Sequence, residues 1–145
     1  MTLMINTPLS TSTSARSRAA LGRVLLVDDD AMMLAVLGDM LKDRGAGIIA
    51  TAQDGRAGIA ALDRWPVAPG LVVCDLQMPE SDGFQFMEEL GKRNYAGAVF
   101  LVSGMDSRTL NSASLMARFH RLNIVATLPK PVDDAALSAA IAKLG

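Results

Sequence analysis

The sequence has few of the residues on which many kinds of functional site depend. It contains one cysteine, one histidine, one tryptophan and one tyrosine in 145 residues. A single cysteine excludes an intrachain disulfide bond and zinc sites that need two cysteine ligands. Aromatic residues make up only 4% of the chain, which argues against platforms that stack nucleotide bases.

Long apolar runs and an excess of one charge are also missing. No run approaches the length of a membrane-spanning helix, and the N-terminus lacks the apolar core of a signal peptide. The 14 basic and 15 acidic residues give a formal net charge of −1, which is too small to attract nucleic acid or an anionic membrane. We therefore expect a cytoplasmic protein that binds neither nucleic acid nor membrane.

The N-terminal residues 1–21 differ in composition from the rest of the chain. They are rich in Ser and Thr, contain no acidic residue and show no sustained helical or strand period. This composition predicts a disordered N-terminal tail over residues 1–21, followed by one domain over residues 22–145. We expect that the tail can be removed without loss of the fold.

Five short apolar stretches alternate with helical patterns along the predicted domain. The stretches cover residues 23–27, 47–52, 71–74, 98–102 and 123–128. Their spacing is that of a βα unit, and right-handed crossovers between parallel strands place helices on both faces of a sheet. The pattern predicts an α/β fold in which a doubly wound, five-stranded parallel sheet packs against five helices.

Polar residues follow four of these strands. They are Asp28 and Asp29 after the first strand, Asp75 after the third, Ser103 after the fourth and Lys130 after the fifth. Each residue alone could be a helix cap or a turn residue, but the carboxyl ends of parallel strands share one edge of the sheet, so these side chains should converge. Three converging carboxylates repel one another and favour a hard cation such as Mg²⁺.

Four motifs in this order resemble the receiver domains of two-component response regulators. They are Val27-Asp28-Asp29-Asp30, the run from Val73 to Pro79 with Asp82-Gly83, Val102-Ser103-Gly104, and Lys130-Pro131. The resemblance covers residues 22–145 and implies a stand-alone, single-domain receiver. It also implies a flavodoxin-like fold with the strand order 2-1-3-4-5.

The resemblance assigns roles to the residues at the strand ends. Asp75 would accept a phosphoryl group from a histidine kinase. Asp29, Asp75 and the backbone carbonyl of Gln77 would hold Mg²⁺ directly, and Asp28 would act through water. A carboxylate can serve as the nucleophile of such a transfer, and cations absorb the charge of the phosphoryl oxygens.

The switch residues follow the receiver pattern only in part. Lys130 would pair with one phosphoryl oxygen and Ser103 would hydrogen-bond to another, and the Lys130–Pro131 peptide bond would be cis. Receivers commonly carry Tyr or Phe three residues before the Lys, whereas this chain has Thr127. We therefore expect the signal to leave through backbone movement at residues 104–106.

We interpret the chain as a phosphorylation-dependent signalling module that catalyses only its own phosphorylation and dephosphorylation. Expected partners are a sensor histidine kinase or a phosphotransfer protein, an output protein, and a second copy of the chain. Docking would use the face formed by the fourth predicted helix, the fifth strand and the last helix, since no output domain is expected to cover it.

Two alternatives remain open at this point. One is a Mg²⁺-dependent phosphatase with an aspartyl nucleophile, but the haloacid dehalogenase class carries Asp-x-Asp after its first strand, whereas Asp75 follows the third. The other is a receiver-like adaptor that signals without phosphate. Turnover of a phosphomonoester would indicate the phosphatase, and failure to label Asp75 would favour the adaptor.

Overall fold

The structure is a computed structural model that describes residues 15–79, 82–104 and 107–144. Within these ranges the chain forms five strands and six helices. In chain order they are α1 (Ala15–Leu21), β1 (Arg23–Val27), α2 (Ala31–Asp43), β2 (Ile48–Ala52), α3 (Gly55–Arg64), β3 (Leu71–Asp75), α4 (Asp82–Lys92), β4 (Ala98–Ser103), α5 (Ser107–Phe119), β5 (Asn123–Pro129) and α6 (Asp134–Ala142). Every helix in the described ranges is too short or too polar to span a lipid bilayer.

The five strands form one parallel sheet in the order β2-β1-β3-β4-β5. This arrangement confirms the predicted fold class and the strand order 2-1-3-4-5. The central strand β3 is buried along its whole length, as its unbroken apolar sequence predicts. The pairing of Val27 with Cys74 and of Asp75 with Val102 aligns the carboxyl ends of three strands.

Alternate residues of the strands supply two hydrophobic cores, one on each face of the sheet. In β3, Leu71 and Val73 contribute to one core, and Val72 and Cys74 contribute to the other. The first core is covered by apolar residues of α2 and α6, and the second by apolar residues of α3, α4 and α5. Helices therefore cover both faces of the sheet, and the polar residues at the carboxyl ends of its strands belong to neither core.

The aspartates after β1 divide into two groups. Asp30 is the N-cap of α2, and its side chain accepts hydrogen bonds from the backbone N–H groups of Met32 and Met33 at 2.9 and 3.4 Å. Such a cap satisfies backbone donors that the first helical turn leaves unpaired. Asp30 thus has a structural role, and Asp28 and Asp29 are the two that remain for the site.

Helix α1 corrects the predicted N-terminal tail over residues 15–21. Leu21 is 1% exposed within the first core, and the Ser17 hydroxyl donates to the carbonyl of Ile141 in α6 at 3.2 Å. The Ala20 backbone lies so close to Gly70 that a Cβ at residue 70 would be 2.6 Å from it. These tertiary contacts order a segment whose composition favours disorder. Residues 1–14 of the predicted tail lie outside the described residues.

Candidate functional site

Three carboxylates meet at the carboxyl edge of the sheet. Asp28 and Asp29 follow β1, Asp75 ends β3, and one oxygen from each residue lies within 4.8 Å of the others. Asp28 and Asp75 are buried, whereas Asp29 is exposed. The β1–β3 register produces this cluster, because the pairing of Val27 with Cys74 brings the next residues of both strands together. The cluster could hold a metal ion.

Asp28 has an oxygen that nothing in the described part of the chain satisfies. The backbone N–H of Asp30 donates to Oδ1 at 2.8 Å, but the buried Oδ2 has no hydrogen-bond partner there. Burial, together with the charge of Asp75, raises the pKa of the Asp28 carboxyl to about 6, although the Asp30 N–H and the charge of Lys130 oppose this shift. Buried carboxylate oxygens are normally paired or bound to a cation, so this one fits a metal site.

Asp75 is held through both of its carboxylate oxygens. The backbone N–H of Gln77 donates to Oδ1 at 2.9 Å, and the ammonium of Lys130 donates to Oδ2 at 3.0 Å. The Asp75 side chain is fully buried, and that of Lys130 is partly exposed. Lys130 is placed by the end of β5, where its backbone N–H donates to the carbonyl of Ser103 at 3.1 Å. The Lys130–Pro131 peptide bond is cis.

The hydroxyl of Ser103 is buried at the end of β4 and does not reach Asp75. It donates instead to the carbonyl of the next residue, Gly104, at 2.9 Å. Thr127 is exposed on the edge strand β5, between the buried residues Ala126 and Leu128. The structure therefore brings together Asp28, Asp29, Asp75, Gln77 and Lys130, while Ser103 is next to this group and Thr127 lies on the surface.

The side chain of Gln77 makes a contact that the sequence does not predict. The resemblance assigns a role only to the backbone carbonyl of Gln77, but its side-chain Oε1 accepts a hydrogen bond from the backbone N–H of Gly104 at 2.6 Å. The bond joins Gln77, two residues after β3, to Gly104, the residue that follows β4. Nothing in the sequence signals it, because a glutamine at this position follows no spacing rule that would point to a residue 27 positions away.

Comparison with known proteins identifies the family. The model of the response regulator receiver domain matches residues 24–142, which is most of the chain and contains every strand-end residue described above. The chain belongs to the response regulator receiver domain family. This match confirms the resemblance seen in the sequence motifs. The carboxylate cluster of the receiver domain is accordingly consistent with the metal site of its family.

Several relatives carry a similar receiver domain. The chain is 39% identical over 84 residues to a protein-glutamate methylesterase/protein-glutamine glutaminase of Treponema denticola, which covers 57% of this chain and 22% of that protein. It is 35% identical over 118 residues to the transcriptional regulatory protein GlrR of Escherichia coli, covering 81% of this chain and 25% of that protein. The matched part is thus a quarter or less of each of these two relatives.

A solved structure also matches the receiver domain along most of its length. A response regulator from Colwellia psychrerythraea superposes with a TM-score of 0.72 at 28% identity, and the match covers 86% of this chain and 96% of that one. The sheet order and the flanking helices therefore agree with a known response regulator fold. Helix α1 begins before the residues that the family model matches.

Proposed function

We propose that this receiver domain accepts a phosphoryl group on Asp75 from a histidine kinase and passes the signal on by binding another protein. The observation that carries the proposal is the way Asp75 is held: its buried carboxylate is fixed by the Gln77 N–H and by Lys130, beside two further carboxylates. A carboxylate placed in this way is oriented as a nucleophile and has a cation beside it.

The proposed reaction is a phosphoryl transfer between two side chains. A carboxylate oxygen of Asp75 attacks the phosphorus of the donor's phosphohistidine, and the bond between that phosphorus and the histidine nitrogen breaks. The product is an acyl phosphate on Asp75, and the electron pair of the broken bond stays on the histidine nitrogen. The ammonium of Lys130, which contacts Asp75 Oδ2 at 3.0 Å, remains next to the new phosphoryl oxygens and partly neutralises their charge.

The residues of the cluster fit a Mg²⁺ ion. Asp29, Asp75 and the backbone carbonyl of Gln77 would hold it directly, with Asp28 acting through water, and the unpartnered Asp28 Oδ2 supports such a site. All of these groups offer oxygen, the donor that Mg²⁺ prefers in proteins. When bound, Mg²⁺ would supply positive charge against which the oxygens of a transferring phosphoryl group are stabilised.

Ser103 and Thr127 enter the proposal as switch residues. The Ser103 hydroxyl would leave the Gly104 carbonyl and donate to a phosphoryl oxygen. Thr127 is small and already exposed, so it cannot report the change by burying a ring. The signal would therefore move through the backbone after Ser103; of the expected residues 104–106, Met105 and Asp106 lie outside the described residues.

The surface of α5 supports a site for an output partner. Leu115 and Phe119 lie four positions apart on this helix and are 65% and 82% exposed. Exposed large apolar and aromatic side chains are typical of protein-binding surfaces. We infer that the output protein, or a second copy of the chain, binds the face formed by α5, β5 and α6, where α5 corresponds to the fourth predicted helix.

Intact-mass measurement after incubation with acetyl phosphate and Mg²⁺ tests the proposed function. We expect the wild-type protein to gain one phosphoryl group, Asp75→Asn to gain none, and the exposed-site control Asp39→Asn to label like the wild type. Repeated release of phosphate from a phosphomonoester would favour the phosphatase instead. A folded wild-type protein that takes no label from acetyl phosphate or from a phosphorylated kinase would favour the phosphate-independent adaptor.

A further inference from the structure

Gln77 connects the acceptor carboxylate to the segment that follows β4. Its backbone N–H donates to Asp75 Oδ1 at 2.9 Å, while its side-chain Oε1 accepts from the Gly104 N–H at 2.6 Å. The neighbouring hydroxyl of Ser103 donates to the carbonyl of Gly104 at 2.9 Å. The Ser103 hydroxyl and the Gly104 N–H therefore both donate to groups other than Asp75.

The contact between Gln77 and Gly104 is close enough to depend on glycine. A Cβ built on Gly104 would lie 2.7 Å from Gln77 Oε1 and 3.0 Å from Nε2. Gly104 does not have a left-handed backbone conformation, so an alanine could adopt its φ angle. A Cβ at this position would therefore have to displace the Gln77 carboxamide, which is the flexible end of an exposed side chain.

We propose that the Gln77 side chain holds the Gly104 backbone in its unphosphorylated position and thereby weakens the response to phosphate. This inference rests on the proposed phosphorylation of Asp75. A phosphoryl group on Asp75 brings new acceptor oxygens. Gly104 is hydrogen-bonded to Gln77, whose own backbone N–H donates to Asp75, so the Gly104 N–H would become a backbone donor to these oxygens. Donation by Gly104 to such an oxygen requires its bond to Gln77 to break, so that bond stabilises only the unphosphorylated state.

The expected change in affinity follows from the free energy that one hydrogen bond contributes. A protein hydrogen bond contributes about 0.5 to 1.5 kcal/mol net, which corresponds to roughly twofold to tenfold in an equilibrium constant. Gln77 is therefore a positioning residue in this proposal: it acts on the equilibrium through Gly104 and forms no bond to the phosphoryl group. Its backbone carbonyl, a proposed metal ligand, is a separate group of the same residue.

Gln77→Met removes the acceptor and keeps the length of the side chain. With beryllofluoride and Mg²⁺ as the probe, we expect this variant to bind the phosphoryl mimic about twofold to tenfold more tightly than the wild type does. Gln85→Met, which makes the same exchange at an exposed position of α4, is the matched control and should leave the affinity unchanged.

Gly104→Ala tests the same bond from its other side. The added Cβ should displace the Gln77 carboxamide, so we expect the same tightening as in Gln77→Met. Because both changes break one bond, the double variant should bind no more tightly than either single variant. Multiplication of the two effects would show that they act independently and would overturn the proposal.

A spectroscopic readout without metal or mimic completes the test. The Gly104 amide proton should show the downfield shift and slow exchange of a hydrogen-bonded group in the wild type, and should lose both in Gln77→Met. Equal or weaker beryllofluoride binding by Gln77→Met, with tight binding by the wild type, would overturn the role of Gln77 and leave the proposed function standing. A wild-type protein that binds no beryllofluoride would overturn both.

Discussion

The Lys130 ammonium lies 3.0 Å from Asp75 Oδ2, although the two residues are 55 positions apart in the sequence. The Asp75 side chain is fully buried, whereas the Lys130 side chain is partly exposed to solvent, so this ion pair lies at the boundary between the protein interior and solvent. Removing one partner of a buried ion pair leaves a charge without compensation. Lys130 thus balances the charge of the Asp75 carboxylate, and in the proposed function it would also balance the charge of the phosphoryl group.

Lys130→Ala should weaken the response to phosphate. A hydrogen bond to a charged group contributes about 1.5 to 3 kcal/mol, so we expect beryllofluoride binding to weaken roughly 10- to 100-fold. Lys92→Ala, at an exposed position of α4, is the control and should bind like the wild type. A Lys130→Ala variant that bound the mimic normally and changed conformation fully would show that Lys130 does not couple to the phosphoryl group.

Asp28→Asn should stabilise the metal-free protein. The substitution removes a buried charge next to Asp75 and keeps the shape of the side chain, so we expect a gain of about 1 to 3 kcal/mol in the free energy of unfolding. Urea denaturation in the presence of a chelator measures this gain. The exposed Asp39→Asn should change the free energy by less than about 0.5 kcal/mol.

The gain from Asp28→Asn should depend on pH. The pKa of the Asp28 carboxyl is about 6 in the folded protein, above the ordinary value of 3.8. Since the folded state then binds the proton more tightly than the unfolded chain, wild-type stability falls as pH rises between these two values. The advantage of asparagine should therefore be full above pH 6 and vanish as the pH approaches 3.8. An advantage independent of pH would show that the buried charge is not its cause.

Helix α1 should contribute to stability through Leu21. Leu21→Ala removes a fully buried side chain from the first core, and such changes cost about 2 to 5 kcal/mol in the free energy of unfolding. Leu115→Ala, a matched change at an exposed leucine, should cost far less. A chain that starts at Gly22 should likewise unfold at lower urea concentration than the full chain. Equal stability of the two chains would mean that α1 is dispensable.

Amide exchange with and without beryllofluoride tests the proposed output face. We expect the mimic to change protection at residues 103–104 and 107–128, because the end of β4 and the residue after it are hydrogen-bonded to Lys130 and Gln77 of the proposed site and lead into α5 and β5. Changes confined to α2, with these residues unaffected, would place the output surface elsewhere.

Substituting the exposed Phe119 by Ser should weaken binding of the output partner without altering phosphorylation.

Much of the fold could be predicted because short apolar patterns in the sequence indicate which segments are buried strands. The unbroken apolar run before Asp75 marks a central parallel strand, and the predicted strand over residues 23–27 coincides with β1. The convergence of Asp28, Asp29 and Asp75 followed from one rule about parallel sheets. These inferences need only the order of the elements and no side-chain conformations.

The remaining features depend on tertiary contacts that no local pattern reports. Helix α1 is ordered by Leu21 in the core and by the bond from Ser17 to Ile141, 124 positions away. The sequence places Ser103 at the sheet edge, but the direction of its hydroxyl depends on the local backbone. The bond between Gln77 and Gly104 depends on how two segments approach each other.

Transfer of a radiolabelled phosphoryl group from a phosphorylated histidine kinase, followed by mapping of the labelled peptide, tests the central claim most directly. We expect one phosphoryl group per chain, carried by the peptide that contains Asp75, and no label in a folded Asp75→Asn variant. Asp39→Asn should accept the label like the wild type. Undiminished labelling of Asp75→Asn, or a label mapped to another residue, would contradict the assignment of Asp75 as the phosphoryl acceptor.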